Sequence, residues 1–142
     1  MTYPYVISNM IHPHLGHTVA QIRLIMRLVP PQSFQVPMGL DMFLVYVQRF
    51  DIIPQLSAAV RQVQPDPVSG MFALKRSRRA DGSLMGDIVP LSQCRVPIEL
   101  TPRFFERADP HLKANNSLEL SSEFWLNKYF DKELFFALHL TK

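Results

Sequence analysis

The sequence predicts a mainly β domain, a small barrel or strongly curved sheet with a short C-terminal helix packed on it. Three observations carry that expectation. Apolar residues alternate with polar ones at period two in "VAQIRLIMRLV", the mark of a strand with one buried face. Short apolar runs recur between proline-bearing turns, the chain holding 12 prolines. An Asp81-Gly82 dipeptide, a strong hairpin signal, separates two such runs. At 142 residues, 47% hydrophobic and 19% charged, the chain is long enough to bury a core as one domain and is neither disordered nor low-complexity.

Residues 1–17 show no clear period and are expected to be a poorly ordered leader, leaving 18–142 as a single β-rich domain. Within the first strand, Ala20, Ile22, Leu24, Met26 and Leu28 are the expected inward set, against Gln21, Arg23 and Arg27. Pro30-Pro31 ends it, since proline has no amide to give to a ladder. After a loop, "MFLVYVQRF" reads as a second strand covered on both faces. Pro54, Pro65, Pro67 and Gly70 make residues 51–70 an excursion, with a short helix expected over 56–63. "MFALKR" and "MGDIVPL" are the third and fourth strands around the turn "SRRADGSL", and "PIELTPRF" is the fifth. In the aromatic-dense end, Asp131 is a plausible N-cap for a helix over 132–139, with a final strand as the competing reading.

Charge is informative because it is local. The chain carries 15 basic and 12 acidic residues, but removing Lys75, Arg76, Arg78 and Arg79 leaves 11 against 12. The positive excess therefore sits on one expected hairpin rather than along a groove that would track many phosphates. No apolar run reaches bilayer length, so no transmembrane helix is expected. A basic n-region and apolar core are missing from the N-terminus, which argues against a signal peptide. The single cysteine, Cys94, excludes an internal disulfide and fits a reducing compartment, nucleus or cytosol.

Catalytic machinery is not visible. Asp41, Asp51, Asp66, Asp81, Asp87 and Glu99 stand singly, and the five glycines form no phosphate loop. His12, His14 and His17 match no zinc spacing, so neither a metal nor another cofactor is expected. Cys94 reads as a small buried hydrophobe. Trp125, Tyr129, Phe130, Phe135 and Phe136 are expected to be mostly core. Tyr46 and Phe50, on one face of the second strand, are the candidate partner pocket, since rings beside a loop can stack on a ligand. Lys75, Arg76, Arg78 and Arg79 are the candidate nucleic-acid contacts, against the alternatives of an import signal or a solvated hairpin tip.

The segments "YVQRFD", "DPVSGMFALKRSRRADGSLMGDIVPLSQCRVPIELTPRF" and "NSLELSSEFWLNKYFDKELFFAL" resemble the C-terminal region of fungal, chiefly basidiomycete, transposase-like proteins of the Plavaka and KDZ type in the CACTA-like group. The resemblance spans about residues 19–140 and leaves the leader unmatched. In such proteins the RNase H-like catalytic part lies upstream, and none of it is present in this sequence. The order of motifs is also similar to bromo-adjacent homology domains, β-rich modules of chromatin proteins, so a BAH-like or SH3-like barrel is the implied fold. The resemblance implies a non-catalytic accessory binding module of a transposon-derived nuclear protein. From the local charge excess, the expected partner is nucleic-acid phosphate or an acidic chromatin protein contacted through the hairpin 75–83. The alternative is a protein-interaction or structural domain docked on an upstream transposase core.

Overall fold

The computed structural model describes residues 4–8, 17–33, 35, 37, 43–54, 64–105, 107–132 and 135–136. Among them are eight strands: β1 (Pro4–Ser8), β2 (His17–Arg27), β3 (Phe43–Ile52), β4 (Phe72–Arg76), β5 (Gly86–Pro90), β6 (Cys94–Pro97), β7 (Leu100–Pro102) and β8 (Glu123–Leu126). Helix is scarce among the described residues: a 3-10 turn at Leu91–Gln93, one α-helical turn, α1, at Ser117–Leu120, and the helical residues Lys132, Phe135 and Phe136. The mainly β class expected from the patterning is what the chain adopts.

All pairings are antiparallel and build one sheet in the order β6-β1-β2-β3-β4-β8-β7, with β5 also paired to β3. The two outermost strands of that path, β6 and β7, are joined by Ile98 and Glu99 alone. The three steps from Pro97 to Leu100 reach only about 10 Å, so the sheet has to curl until its ends approach one another. The result is a strongly curled half-barrel. Strands β4 and β5 share one long edge of β3, β4 opposite Phe50–Ile52 and β5 opposite Leu44–Gln48. The segment between them, 77–85, leaves the sheet at that junction as a protruding hairpin.

Curling divides the core in two. One cluster joins Val19, Phe50, Ile52, Phe72, Leu74, Ile98, Leu100, Phe124 and Leu126, with Phe50 and Phe124 meeting edge to face at 5.5 Å. The other joins Ala20, Val45, Val47 and Val89. Neighbouring residues of β2, Val19 and Ala20, belong to different clusters, and β3 changes from burying odd positions to burying even ones. Successive strand residues point to opposite faces, so along β3 burial passes from one face of the sheet to the other, while at Thr18–Gln21 of β2 both faces are covered. The expectation that β3 is covered on both faces along its length is corrected accordingly.

Strand β2 departs from its pattern for a related reason. The register with β3 shifts between Ile22 and Leu24, a bulge that breaks the period of two. Beyond it Leu24 and Ile25 are both exposed, while Gln21, expected outside, is fully buried. The leader also differs from expectation: Pro4–Ser8 forms β1, held by β2 and β6. A strand this short is specified by its partners, and β6 lies far downstream. Strands β6 and β8 and helix α1 carried no element in the sequence reading, whereas β4, β5 and β7 fall within segments read as strands. The helix expected over 56–63 lies outside the described residues. At the C-terminal end Lys132, Phe135 and Phe136 are helical, and the Phe135 amide bonds the Asp131 carbonyl at 3.0 Å.

Candidate functional site

The basic segment begins on β4, where alternation sends Lys75 and Arg76 to opposite faces. Lys75 is exposed and stands in register between Asp51 on β3 and Glu123 on β8. Cross-strand neighbours of opposite sign offset its charge. Glu123 is itself bound by Arg103 at 2.9 Å, and Arg103 lies 4.8 Å over the Trp125 ring.

Arg76 turns inward and is only 9% exposed. Its guanidinium donates to the Gln21 side-chain oxygen at 3.0 Å and to the Leu118 carbonyl of α1. It lies over the Phe50 ring at 5.2 Å and near the Phe124 ring at 6.0 Å. The Gln21 amide donates to Glu119 Oε1 at 3.2 Å, and Arg23 pairs with the same oxygen. Burial draws the Arg76 guanidinium below its ordinary value, with Glu119 opposing, yet an arginine stays charged throughout the usual pH range. Burial alone would push the Glu119 carboxyl up. The hydrogen bonds from Arg23 and Gln21 and the charges of Arg23 and Arg76 outweigh it and hold the group below the usual carboxylate value. Arg76 is thus the clamp that fastens α1 to β2 and β4, and its candidacy as a phosphate contact is corrected: its donors point into the protein.

The hairpin itself is short. Ser77 and Met85 pair at its base, Arg78 bridges Leu84, and the Arg79 amide bonds the Ser83 carbonyl. Gly82 closes the turn at φ +83°, as the Asp-Gly dipeptide predicts. Ser77 is buried and its hydroxyl donates to Asp51 at 2.5 Å. Arg78 spends one guanidinium nitrogen on the Gly82 carbonyl at 2.7 Å. Arg79, at the exposed tip, makes no side-chain hydrogen bond or ion pair among the described residues. A cleft of about 410 Å³ beside the hairpin is lined by Lys75, Arg76 and Arg78 but equally by Asp51, Glu119 and Glu123. Arg23 and Arg49, the cations nearest in the sheet, are engaged by Glu119 and Asp87. The four cations therefore diverge into one buried clamp, one balanced surface lysine and two hairpin arginines, instead of converging on one basic patch.

The aromatic pair separates as well. Phe50 is 2% exposed in the larger core cluster, so it is a packing residue and not a pocket wall. Tyr46 lies on the same face of β3 but beyond the end of that cluster. Its ring covers Gly86: a Cβ there would fall 2.5 Å from Tyr46 Cε2 and 2.7 Å from Cζ. In register across three strands, Leu24, Tyr46 and Ile88 form one row and Met26, Leu44 and Pro90 the next. Leu24 is 53% and Ile88 62% exposed. This apolar sheet face, with Tyr46 at its centre, was not visible in the sequence because the bulge in β2 and the packing of β5 create it.

The Cys94 thiol is half-buried and burial pushes it up, away from the reactive thiolate. Among the described residues no group of three or more His, Cys, Asp or Glu is arranged to hold a metal. His12 and His14 lie outside them, and His17 opens β2. Of the C-terminal aromatics expected in the core, Tyr129, Phe130 and Phe136 are exposed and Trp125 and Phe135 are half-buried. Alternation along β8 instead buries Phe124 and Leu126. No helix among the described residues is long and apolar enough to cross a membrane.

Residues 13–68 match a protein family described as a domain of unknown function (DUF6830). The match takes in β2 and β3, the strands that carry Leu24 and Tyr46, and stops before the basic segment. No curated protein and no solved structure matches the chain.

Proposed function

We propose that this chain is a non-catalytic binding module that docks on another protein through the apolar face of β2, β3 and β5. The observation that carries the reading is the apolar row Leu24, Tyr46 and Ile88, with Leu24 and Ile88 exposed on either side of the half-buried Tyr46, continued by the half-buried Met26, Leu44 and Pro90. Contiguous apolar surface with large exposed side chains mark interaction sites, whereas single exposed apolar residues do not. The sequence resemblance suggests the partner: the RNase H-like core of a transposon-derived protein, with the module as its accessory part in the nucleus.

A second reading, contact with DNA phosphate, keeps one specific support. Lys75, Arg78 and Arg79 are exposed, and Arg79 has no side-chain hydrogen bond or ion pair among the described residues. Three cations set a ceiling on its salt dependence, a slope of about −0.9 per phosphate neutralised.

One experiment separates the two. Binding to a purified RNase H-like core of the resembled kind, and separately to duplex DNA at rising salt, is measured for three proteins. These are the parent, Leu24→Glu, and a triple variant with Lys75, Arg78 and Arg79 changed to alanine. Protein docking predicts that Leu24→Glu loses the core by at least about a hundredfold, the effect of burying an unpaired charge, while the triple variant does not. If the triple variant loses DNA with a flatter salt slope and Leu24→Glu binds the core unchanged, the phosphate reading replaces the docking one.

A further inference from the structure

The free edge of β5 decides how a partner engages the apolar face. Odd-numbered residues of β3 direct their backbone groups toward β4 and β5: the Arg49 carbonyl accepts from the Ser77 amide at 2.9 Å and the Arg49 amide bonds the Met85 carbonyl at 3.1 Å, and the alternation continues just past β3, where the Ile53 amide bonds the Ala73 carbonyl at 2.8 Å. Continuing that alternation, Val47 and Val45 exchange bonds with Asp87 and Val89, their partners in register. Gly86, Ile88 and Pro90 therefore turn their backbone groups to the opposite side. No strand lies there among the described residues, since β5 pairs with β3 alone.

We infer that β5 is an acceptor strand, and that the partner contributes an extended peptide segment that adds to this edge. The inference rests on the docking reading above and specifies its mode. Gly86 and Ile88 each present an N–H and a C=O, one strand repeat apart, which is the spacing that another extended chain satisfies. Ile88 places its exposed side chain on the same face as Tyr46, so alternate residues of the incoming strand land on the apolar row. The Tyr46 ring reaches over Gly86 to this edge, and its hydroxyl has no partner among the described residues. Pro90 lacks an N–H and ends the ladder at one end. At the other end the chain runs directly into the hairpin that carries Arg78 and Arg79. The fitting segment is thus a short extended one, apolar at alternate positions, with an acidic residue at the end lying against the hairpin. The exposed hairpin cations Arg78 and Arg79 acquire a role in orienting a peptide by charge.

The test selects a binder from a phage-displayed library of random linear peptides, using the intact chain as target, and measures the selected synthetic peptide against variants. Ile88→Pro removes the outward amide without touching the β3 ladder, and Ile88→Ala removes the same side chain while keeping that amide. Strand addition predicts alternating apolar residues in the selected peptides. It further predicts that Ile88→Pro binds at least about tenfold more weakly than Ile88→Ala. Amide exchange at Ile88 in the parent, fast when free, slows on binding, and this readout stands even if Ile88→Pro folds poorly. Equal binding by Ile88→Pro and Ile88→Ala with no slowing at Ile88 overturns strand addition, and docking on the face survives if Leu24→Glu still abolishes binding. Selection of nothing, or binding indifferent to all three variants, overturns both. A sedimenting dimer of the parent that Ile88→Pro dissolves overturns the peptide occupant in favour of a second copy of this chain.

Discussion

Arg76→Ala is the substitution that most sharply distinguishes a binding finger from a clamp. The change removes a charged hydrogen bond to Gln21, another to the Leu118 carbonyl, and the packing of a cation over Phe50 and Phe124. Hydrogen bonds to charged groups contribute about 1.5–3 kcal/mol each, and a desolvated cation–π contact adds up to about 2 kcal/mol. These terms share one side chain and do not sum. The loss of a charged donor to the fully buried Gln21 side chain is part of the same effect. A net destabilisation of about 3 kcal/mol is expected, which for a chain of this size lowers Tm by about 10 °C. Arg76→Lys keeps the charge but cannot fork to both acceptors, and is expected to recover less than half of that loss. Arg79→Ala, at the exposed tip, should stay within about 0.5 kcal/mol of the parent. Urea unfolding followed by circular dichroism, with the m-value checked for constancy, measures all three. If Arg76→Ala is as stable as Arg79→Ala, the guanidinium is free in solution and the clamp does not exist.

Three further outcomes follow from the geometry. Gly86→Ala drives a Cβ into the Tyr46 ring and should cost about 1–3 kcal/mol; pairing it with Tyr46→Ala should cancel most of that cost in a double-mutant cycle, and additive losses would refute the contact. Phe50→Ala should cost about 3–5 kcal/mol as a core truncation, whereas Tyr46→Ala should leave stability nearly unchanged and abolish docking, so a stable Phe50→Ala would restore that residue to the pocket. Glu119 has a folded-state pKa held below its unfolded one, so its contribution is present above the unfolded value, near 4.3, and is lost as pH falls through the folded one. Acid unfolding of Glu119→Gln should therefore lack the steepening that the parent shows below about pH 5; because the carboxylate is half exposed the difference at neutral pH is expected under about 1 kcal/mol, and identical acid profiles would remove the Arg23–Glu119 link.

Local pattern alone decided the class of this protein. The apolar alternation near Val19, the near-continuous run of β3, the short runs at β4 and β5 and the Asp-Gly turn between them all describe how a residue relates to its neighbours in sequence. Fold class depends on those relations. The turn at Gly82 was legible for the same reason, because the demand for positive φ sits in one residue. Which face of a strand is covered is not a local property. It depends on where β8 and α1 lie, and they are drawn in from the far end of the chain. That is why Lys75 and Arg76, adjacent and chemically alike, end on opposite sides of the sheet with opposite roles, and why Tyr46 and Phe50, on one face of one strand, divide into surface and core. The bulge in β2 adds a single unpaired residue, and side chains alternate with period two. One extra residue therefore exchanges the two faces beyond it, and from that exchange, made only in the tertiary structure, comes the apolar row.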